Sequence, residues 1–248
     1  MCIRDSPNDP YGADPVGVVV DPCPVHPPPS PAQGWSLYNL HMVARDFGQL
    51  CRYRLQDAAL EASQARPRVV FLGDSITDIW TNADPDLFSK GLVNRGVSGQ
   101  TTPQMLVRFR QDVIDLHPQA VLILAGINDL AGNTGASTLE TVEGNLESMA
   151  ELAQAHGIKV LLASTTPASA FPWSPDKRPA PQIIALDAWI RGYCEEKGLT
   201  YVDYYSALVD NAGGMKPGLS SDGVHPTHAG FAIMRPIALA AIDKALAK

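Results

Sequence analysis

Basic residues are scarce in this chain. Nineteen Lys and Arg stand against 26 Asp and Glu, a formal net charge of −7 over 248 residues. Nucleic acids and anionic membranes are held by clustered cations, so neither is expected as a partner. Long apolar runs are also missing. Stretches such as Val121–Ala125 are far too short to cross a bilayer, so no integral membrane segment is expected. Cysteine is sparse, with Cys2, Cys23, Cys51 and Cys194 and no C-x-x-C pair, which argues against a zinc ribbon or a dithiol redox motif. Isolated buried or terminal thiols are the expectation, with one structural disulfide left open if the protein is exported. There is no P-loop and no G-x-G-x-x-G. A G-x-S-x-G elbow is absent too, because Thr77 stands where the second glycine is required. Asp222, His225 and His228 come nearest to a metal trio, but they lie on a Pro-containing turn without a further ligand cluster. Neither a metal nor another cofactor is expected.

Proline is concentrated at one end. Nine of the 21 prolines fall within residues 1–31, including Pro27, Pro28 and Pro29. Proline fixes φ and lacks a backbone donor, so residues 1–35 read as an extended tail and residues 36–248 as one domain. The opening MCIRDS reads like translated adapter sequence. The native start would then be missing, with the loss of a signal peptide left open. A secreted or periplasmic location fits that reading, and a cytoplasmic one fits otherwise. Nothing in the sequence specifies an oligomeric state.

With 45% hydrophobic residues the chain can build one sizeable core. Asp46 and Gln49 have capping-box spacing, and Phe47, Leu50, Cys51 and Leu55 could share a face, so a first helix is expected from Asp46. From Pro67 onward strands and helices alternate. Arg68–Gly73, Leu92–Val97, Ala120–Ala125, Lys159–Ser164 and Tyr201–Tyr205 read as strands. Thr102 and Pro103 open a helix that should stop before Pro118. Ser137 and Glu140 form a capping box ahead of Val142, Leu146, Met149 and Ala153, with Gly157 as the stop. A Pro-rich insertion, Thr166–Pro181, precedes a helix carrying Ile183, Leu186, Ile190 and Tyr193 on one face. The last helix starts near His228 and should kink at Pro236. Together these elements imply an α/β fold, an open parallel five-stranded sheet covered on both faces.

Such sheets place their sites beyond the carboxyl ends of the strands, and four polar signatures fall there. Gly73-Asp74-Ser75-Ile76-Thr77 puts a serine at a strand-to-helix turn. Asn94-Arg95-Gly96-Val97-Ser98-Gly99-Gln100-Thr101 puts a glycine where a backbone N–H can approach a ligand. Gly126-Ile127-Asn128-Asp129 offers a side-chain amide to a developing oxyanion. Asp222-Gly223-Val224-His225-Pro226 places a histidine three residues after an aspartate that can orient its ring. Each alone reads as well as a cap or a turn. Their order along the chain, each at a different strand end, argues for one site.

These four blocks resemble those of the SGNH (GDSL-type) hydrolase family, over roughly Pro67 to the C-terminus. The resemblance implies a three-layer, doubly wound, flavodoxin-like fold. It also implies Ser75 as nucleophile, His225 as base and Asp222 as its partner. The Ser75 and Gly99 N–H groups and Asn128 would form the oxyanion hole. Gln100 stands where many relatives carry Asp, which puts loop hydrogen bonding there in question.

The chemistry expected is acyl transfer without a cofactor. No apolar insertion resembles a lipase lid, so short-chain esters are favoured, with carbohydrate acetyl esters and lysophospholipid-like esters both open. Trp80, Phe171 and Trp173 could stack on a sugar or aryl group, or could equally anchor a loop. Asp74 joins them as a substrate-side candidate. A thioesterase or acyltransferase on the same site is the alternative. A non-catalytic binding module is the remaining one, and it would be expected to lose Ser75, Asn128 or His225.

Overall fold

A computed structural model of the chain describes residues 17–20, 23, 34–44 and 46–247. Cys2 and most of the Pro-rich stretch lie outside the described residues. Helices α1 (Trp35–Ala44) and α2 (Arg54–Ala62) precede the sheet. Strands β1 (Val69–Gly73), β2 (Leu92–Gly96), β3 (Ala120–Leu124), β4 (Lys159–Ala163) and β5 (Thr200–Val202) pair in the order β2-β1-β3-β4-β5. Every pairing is parallel.

The apolar strands alternate between two cores. Val69, Phe71, Leu122 and Leu161 point to one face, where α3 (Ser75–Ala83) and α9 (His228–Leu246) cover them. Val70, Leu72, Val121, Ile123 and Leu162 point to the other, under α4 (Thr102–Phe109), α6 (Leu139–Ala155) and α7 (Ala180–Lys197). A sheet buried on both faces explains why β1 and β3 are apolar at every position. The fold is therefore the three-layer, doubly wound α/β arrangement implied by the alternation of elements. Two short helices, α5 (Ile127–Ala131) and α8 (Tyr205–Leu208), follow β3 and β5.

Several local expectations are corrected. No helix starts at Asp46. Its carboxylate instead accepts from the N–H groups of Leu50 and Cys51, at 2.8 and 3.1 Å, and closes a turn. Phe47, Leu50 and Leu55 are exposed rather than sharing a buried face. Cys51 is joined to Cys23 in a disulfide, so two of the expected isolated thiols are paired, while Cys194 is free and buried. Thr138, not Ser137, caps α6, accepting from Thr141 N–H at 3.2 Å. The helix after Pro103 leaves α geometry at Arg110 and passes through a π turn, Arg110–Ile114. β5 ends at Val202 because the next N–H groups turn away: those of Tyr204 and Tyr205 both donate to Ser164 Oγ, at 2.9 and 2.8 Å.

A buried cation fixes the ends of β1 and β2. Arg108 is fully buried, and its guanidinium donates to Gly73 O at 2.9 Å and to Arg95 O at 2.8 Å. It also donates to Gln100 Oε1 at 2.6 Å and to Asp112 at 2.8 Å. Burying this charge is costly, and four oxygen acceptors offset the cost. Replacing Arg108 with Met would strand those acceptors without a donor. The Arg108→Met variant should lose about 3–5 kcal/mol in urea unfolding. Arg108→Lys should recover little of that loss, since an ammonium cannot reproduce the planar fork. An unchanged unfolding midpoint in Arg108→Met would contradict this account.

Candidate active site

The strand order reverses direction between β1 and β3, and crevices form at such switch points beyond the strand ends. Ser75 follows β1 and opens α3; Asn128 follows β3 in α5. The turn before Ser75 is set by Asp74, whose carboxylate accepts from Ile76 N–H at 2.9 Å. That bond consumes one helix-terminal donor, and the Ser75 N–H, in the first turn, has no intrahelical acceptor. Gly96 lets α3 press onto the end of β2: a Cβ there would overlap the backbone of Thr77 and Asp78.

The loop before α9 brings its histidine to the serine. Ser75 Oγ lies 2.8 Å from His225 Nε2, and His225 Nδ1 lies 2.6 Å from Asp222 Oδ2. The other Asp222 oxygen accepts from the N–H groups of Val224 and His225, at 2.9 and 2.8 Å. Partial burial alone would raise the Asp222 carboxyl. The ring and backbone bonds outweigh it and hold the group down at about 2. An ionised carboxylate can only accept, so the Nδ1 proton points to Asp222 and Nε2 is left to accept from Ser75. His228 turns away, with Nδ1 donating to Ala83 O at 3.0 Å, so it does not join His225 and Asp222.

Gly99 and Asn128 face the same space. Gly99 has φ +82° in the loop after β2. Asn128 is buried, donates one Nδ2 hydrogen to Gln100 O at 3.0 Å and accepts from Asn133 Nδ2 at 2.9 Å. Among the described residues its second amide hydrogen has no partner, and Asn128 lines the cleft. The cleft has a volume of about 390 Å³. Ser75, Ser98, Gly99, Asn128, Asp222 and His225 form its polar side, and Ile79, Pro172 and Trp173 form its apolar wall.

A model of the GDSL-like lipase/acylhydrolase family matches residues 71–233 of this chain. A GDSL-like lipase of Bacteroides thetaiotaomicron is 44% identical, over 81% of this chain and 100% of that one, with a TM-score of 0.76. The chain belongs to this family of acylhydrolases. A fold likeness extends to Axe2, an acetyl-xylooligosaccharide esterase of Geobacillus stearothermophilus. It is 23% identical over 70% of this chain and 93% of that one, with a TM-score of 0.59. The uncharacterized lipoprotein YqeF of Bacillus subtilis is 34% identical over 79 residues, which are 31% of this chain and 32% of that protein. The match thus spans about a third of that lipoprotein's length.

Not every substrate-side candidate reaches the cleft of this acylhydrolase. Asp74 is buried beneath the turn, where it acts as the cap of α3. Trp80 is a core residue, stacked on Phe231 and edge-on to Phe71, Phe88 and Tyr204. Five residues past Ser75, it is turned about 140° around the axis of α3 from the serine, on the buried inner face and away from the opening. Phe171 is buried and stacks under Trp173 at 5.4 Å, anchoring the insertion. Trp173 alone of these aromatics lines the cleft, with its ring 6.0 Å from that of His225.

Three side chains tie the loops together, and of these Asn133 lies outside the four polar blocks. Asn133 donates to both Gly99 O and Asn128 Oδ1, at 3.1 and 2.9 Å. Asp129 accepts from Thr102 N–H and hydroxyl, at 2.9 and 2.7 Å, joining the loops after β2 and β3. Gln100 fills its position with a neutral amide, accepting from Arg108 and donating to Gly48 O at 3.1 Å. The signal for Asp129 was its place beside Asn128 in the Gly126–Asp129 block; Asn133 had none.

Three carboxyls near the strand ends are pushed up by burial: Asp74 and Asp129 to about 6, and Asp187 to about 7. Asp187 accepts from Thr165 N–H and hydroxyl, at 2.8 and 2.9 Å, and its second oxygen has no partner among the described residues. A carboxyl raised from 3.8 to about 7 on folding contributes stability that is complete below about 4. That contribution is lost as pH rises through the folded value. Asp187→Asn keeps the acceptor but cannot ionise. Its melting temperature should therefore gain on the wild type as pH rises from about 4 to about 7. A difference that does not vary with pH would contradict the assignment.

Proposed function

We propose that this acylhydrolase is a serine esterase that cleaves short-chain carboxylic esters through an acyl-enzyme on Ser75. What supports the reading is the unbroken run of hydrogen bonds from Ser75 through His225 to an ionised Asp222, opening on a cleft that also receives Gly99 and Asn128. In this mechanism His225 Nε2 takes the Ser75 proton as Oγ attacks the ester carbonyl. The tetrahedral oxyanion is held by the N–H groups of Ser75 and Gly99 and the second amide hydrogen of Asn128. His225 then passes its proton to the leaving alkoxide. Water then attacks the acyl carbonyl as His225 takes its proton, and that proton passes to Ser75 Oγ as the acid is released. Asp222 holds the imidazole in the required tautomer and stabilises its charged form.

The cleft favours a small acyl group. Among the described residues its apolar wall is three side chains, Ile79, Pro172 and Trp173. A long chain would leave most methylenes in water and gain little of the roughly 0.8 kcal/mol each could contribute. Trp173 also supplies a flat ring at the mouth, which favours an acetylated saccharide as the ester. The Cys23–Cys51 disulfide supports an oxidising compartment, and hence export.

The test is turnover of a series of nitrophenyl esters from acetyl to palmitoyl. Activity should peak between acetyl and butyryl, and Ser75→Ala should abolish it with the melting temperature retained. Asn128→Ala should lose about 10²–10³ in kcat with little change in KM. A kcat/KM that climbs steadily to palmitoyl would refute the short-acyl reading; an active Ser75→Ala variant would refute the mechanism.

A further inference from the structure

Ahead of the family-matched region, a tyrosine hydroxyl reaches the peptide that carries the Gly99 N–H. Tyr38, on α1, is buried, and its phenol donates to Ser98 O at 2.7 Å. The Ser98 carbonyl and the Gly99 N–H are the two ends of one planar peptide group. Holding the carbonyl oxygen therefore fixes where that N–H points. We propose that Tyr38 is a positioning residue for the oxyanion hole, aiming and polarising the Ser98–Gly99 peptide. This rests on the assignment of Gly99 as an oxyanion donor made above.

The surrounding bonds show why this peptide needs a clamp. Gly99 has φ +82°, and a glycine turns its peptide planes more freely than other residues. The neighbouring carbonyls are each held by a different donor. Tyr53 hydroxyl donates to Gly96 O, and Gln100 N–H to Val97 O at 3.2 Å. Asn133 holds Gly99 O and Asn128 holds Gln100 O. Ser98 N–H and hydroxyl both donate to Asp78 Oδ2, at 3.2 and 2.7 Å, which anchors the residue on its other side. Among the described residues no bond occupies the Gly99 N–H. A donor on the carbonyl of this peptide also strengthens its N–H as a donor, since linked hydrogen bonds polarise one another.

The donor is itself well supported. Burial, with Asp78 adding to it, pushes the Tyr38 phenol above its ordinary value, so it stays protonated. The loop between α1 and α2 is fastened to α4, its approach and the π turn after it. Gln104 and Gln100 donate to Phe47 O and Gly48 O, each at 3.1 Å, and Gln111 donates to Leu50 O at 2.6 Å. The Cys23–Cys51 bond secures the same loop.

The test compares Tyr38→Phe with Tyr53→Phe. Both keep the ring and lose a hydroxyl that serves the same loop, but Tyr53 does not touch the Ser98–Gly99 peptide. Tyr38→Phe should lower kcat about 5- to 10-fold with KM within about twofold. Its affinity for butylboronic acid, which forms a tetrahedral anion on the serine, should fall by the same factor. Its affinity for butyrate should not change. The ratio of these two affinities does not depend on how much of the variant is folded, so it serves even if stability drops. Tyr53→Phe should lower the melting temperature and leave that ratio as in the wild type. A wild-type ratio in Tyr38→Phe, or an equal change in Tyr53→Phe, would overturn the proposal. Ser75→Ala separates the two levels: if it is inactive while Tyr38→Phe has the wild-type ratio, only this inference fails. If Ser75→Ala is active, the serine mechanism fails with it.

Discussion

The Arg108 guanidinium bonds to the last carbonyl of β1 and to the next-to-last of β2. Ser75 lies two residues beyond the first of these strands, and Gly99 three residues beyond the second. A parallel sheet leaves carbonyls at its C-terminal edge without strand partners, and buried carbonyls must find donors. One planar cation with several N–H groups can serve two strands, a side-chain amide and a carboxylate at once. The distance between the serine turn and the glycine loop is thereby set from below, inside the core. The π turn that follows α4 is where Asp112 meets Arg108, so the local departure from α geometry accompanies the ion pair.

From that base the loops fasten to one another. Asp129 joins the loops after β2 and β3 through Thr102, and Asn133 joins Gly99 to Asn128. The third contributor arrives from much later in the chain: His225 and Asp222 hang on a loop braced by its own backbone, with Asp222 accepting from two N–H groups. Donors aimed at a developing charge are effective when they need not reorganise as the reaction proceeds. Side-chain bonds hold the ends of β1 and β2, the loops after β2 and β3 and the loop before α9 in this way.

The strands were legible because burial on both faces demands unbroken apolar runs, and β1 and β3 have them. The polar blocks were legible because glycine, serine, asparagine and histidine interrupt those runs at strand ends, where a purely structural loop has no need of all four. The residues that hold the blocks in place were not. Arg108 sits in an amphipathic helix, where an arginine ordinarily faces solvent, and only the fold reveals four acceptors around it. Tyr38 and Tyr53 act through hydroxyls on backbone carbonyls, and a backbone acceptor leaves no mark in a sequence. Asp46 carried a helix-cap pattern that its side chain used to close a turn instead. Trp80 follows Ser75 closely in the sequence, but lies on the buried side of the helix that Ser75 begins. Pairing of Cys23 with Cys51 depends on a chain path that spacing alone does not encode.

The central claim is that the hydrogen-bonded run ending in Ser75 makes this one hydroxyl nucleophilic. A fluorophosphonate probe tests that directly, because it needs an activated oxygen and forms a stable tetrahedral adduct with it. Peptide mass spectrometry of the labelled protein should place one adduct, on Ser75. His225→Ala should slow its formation by orders of magnitude while the protein stays folded. Labelling at another serine, or an unchanged rate in His225→Ala, would contradict the account.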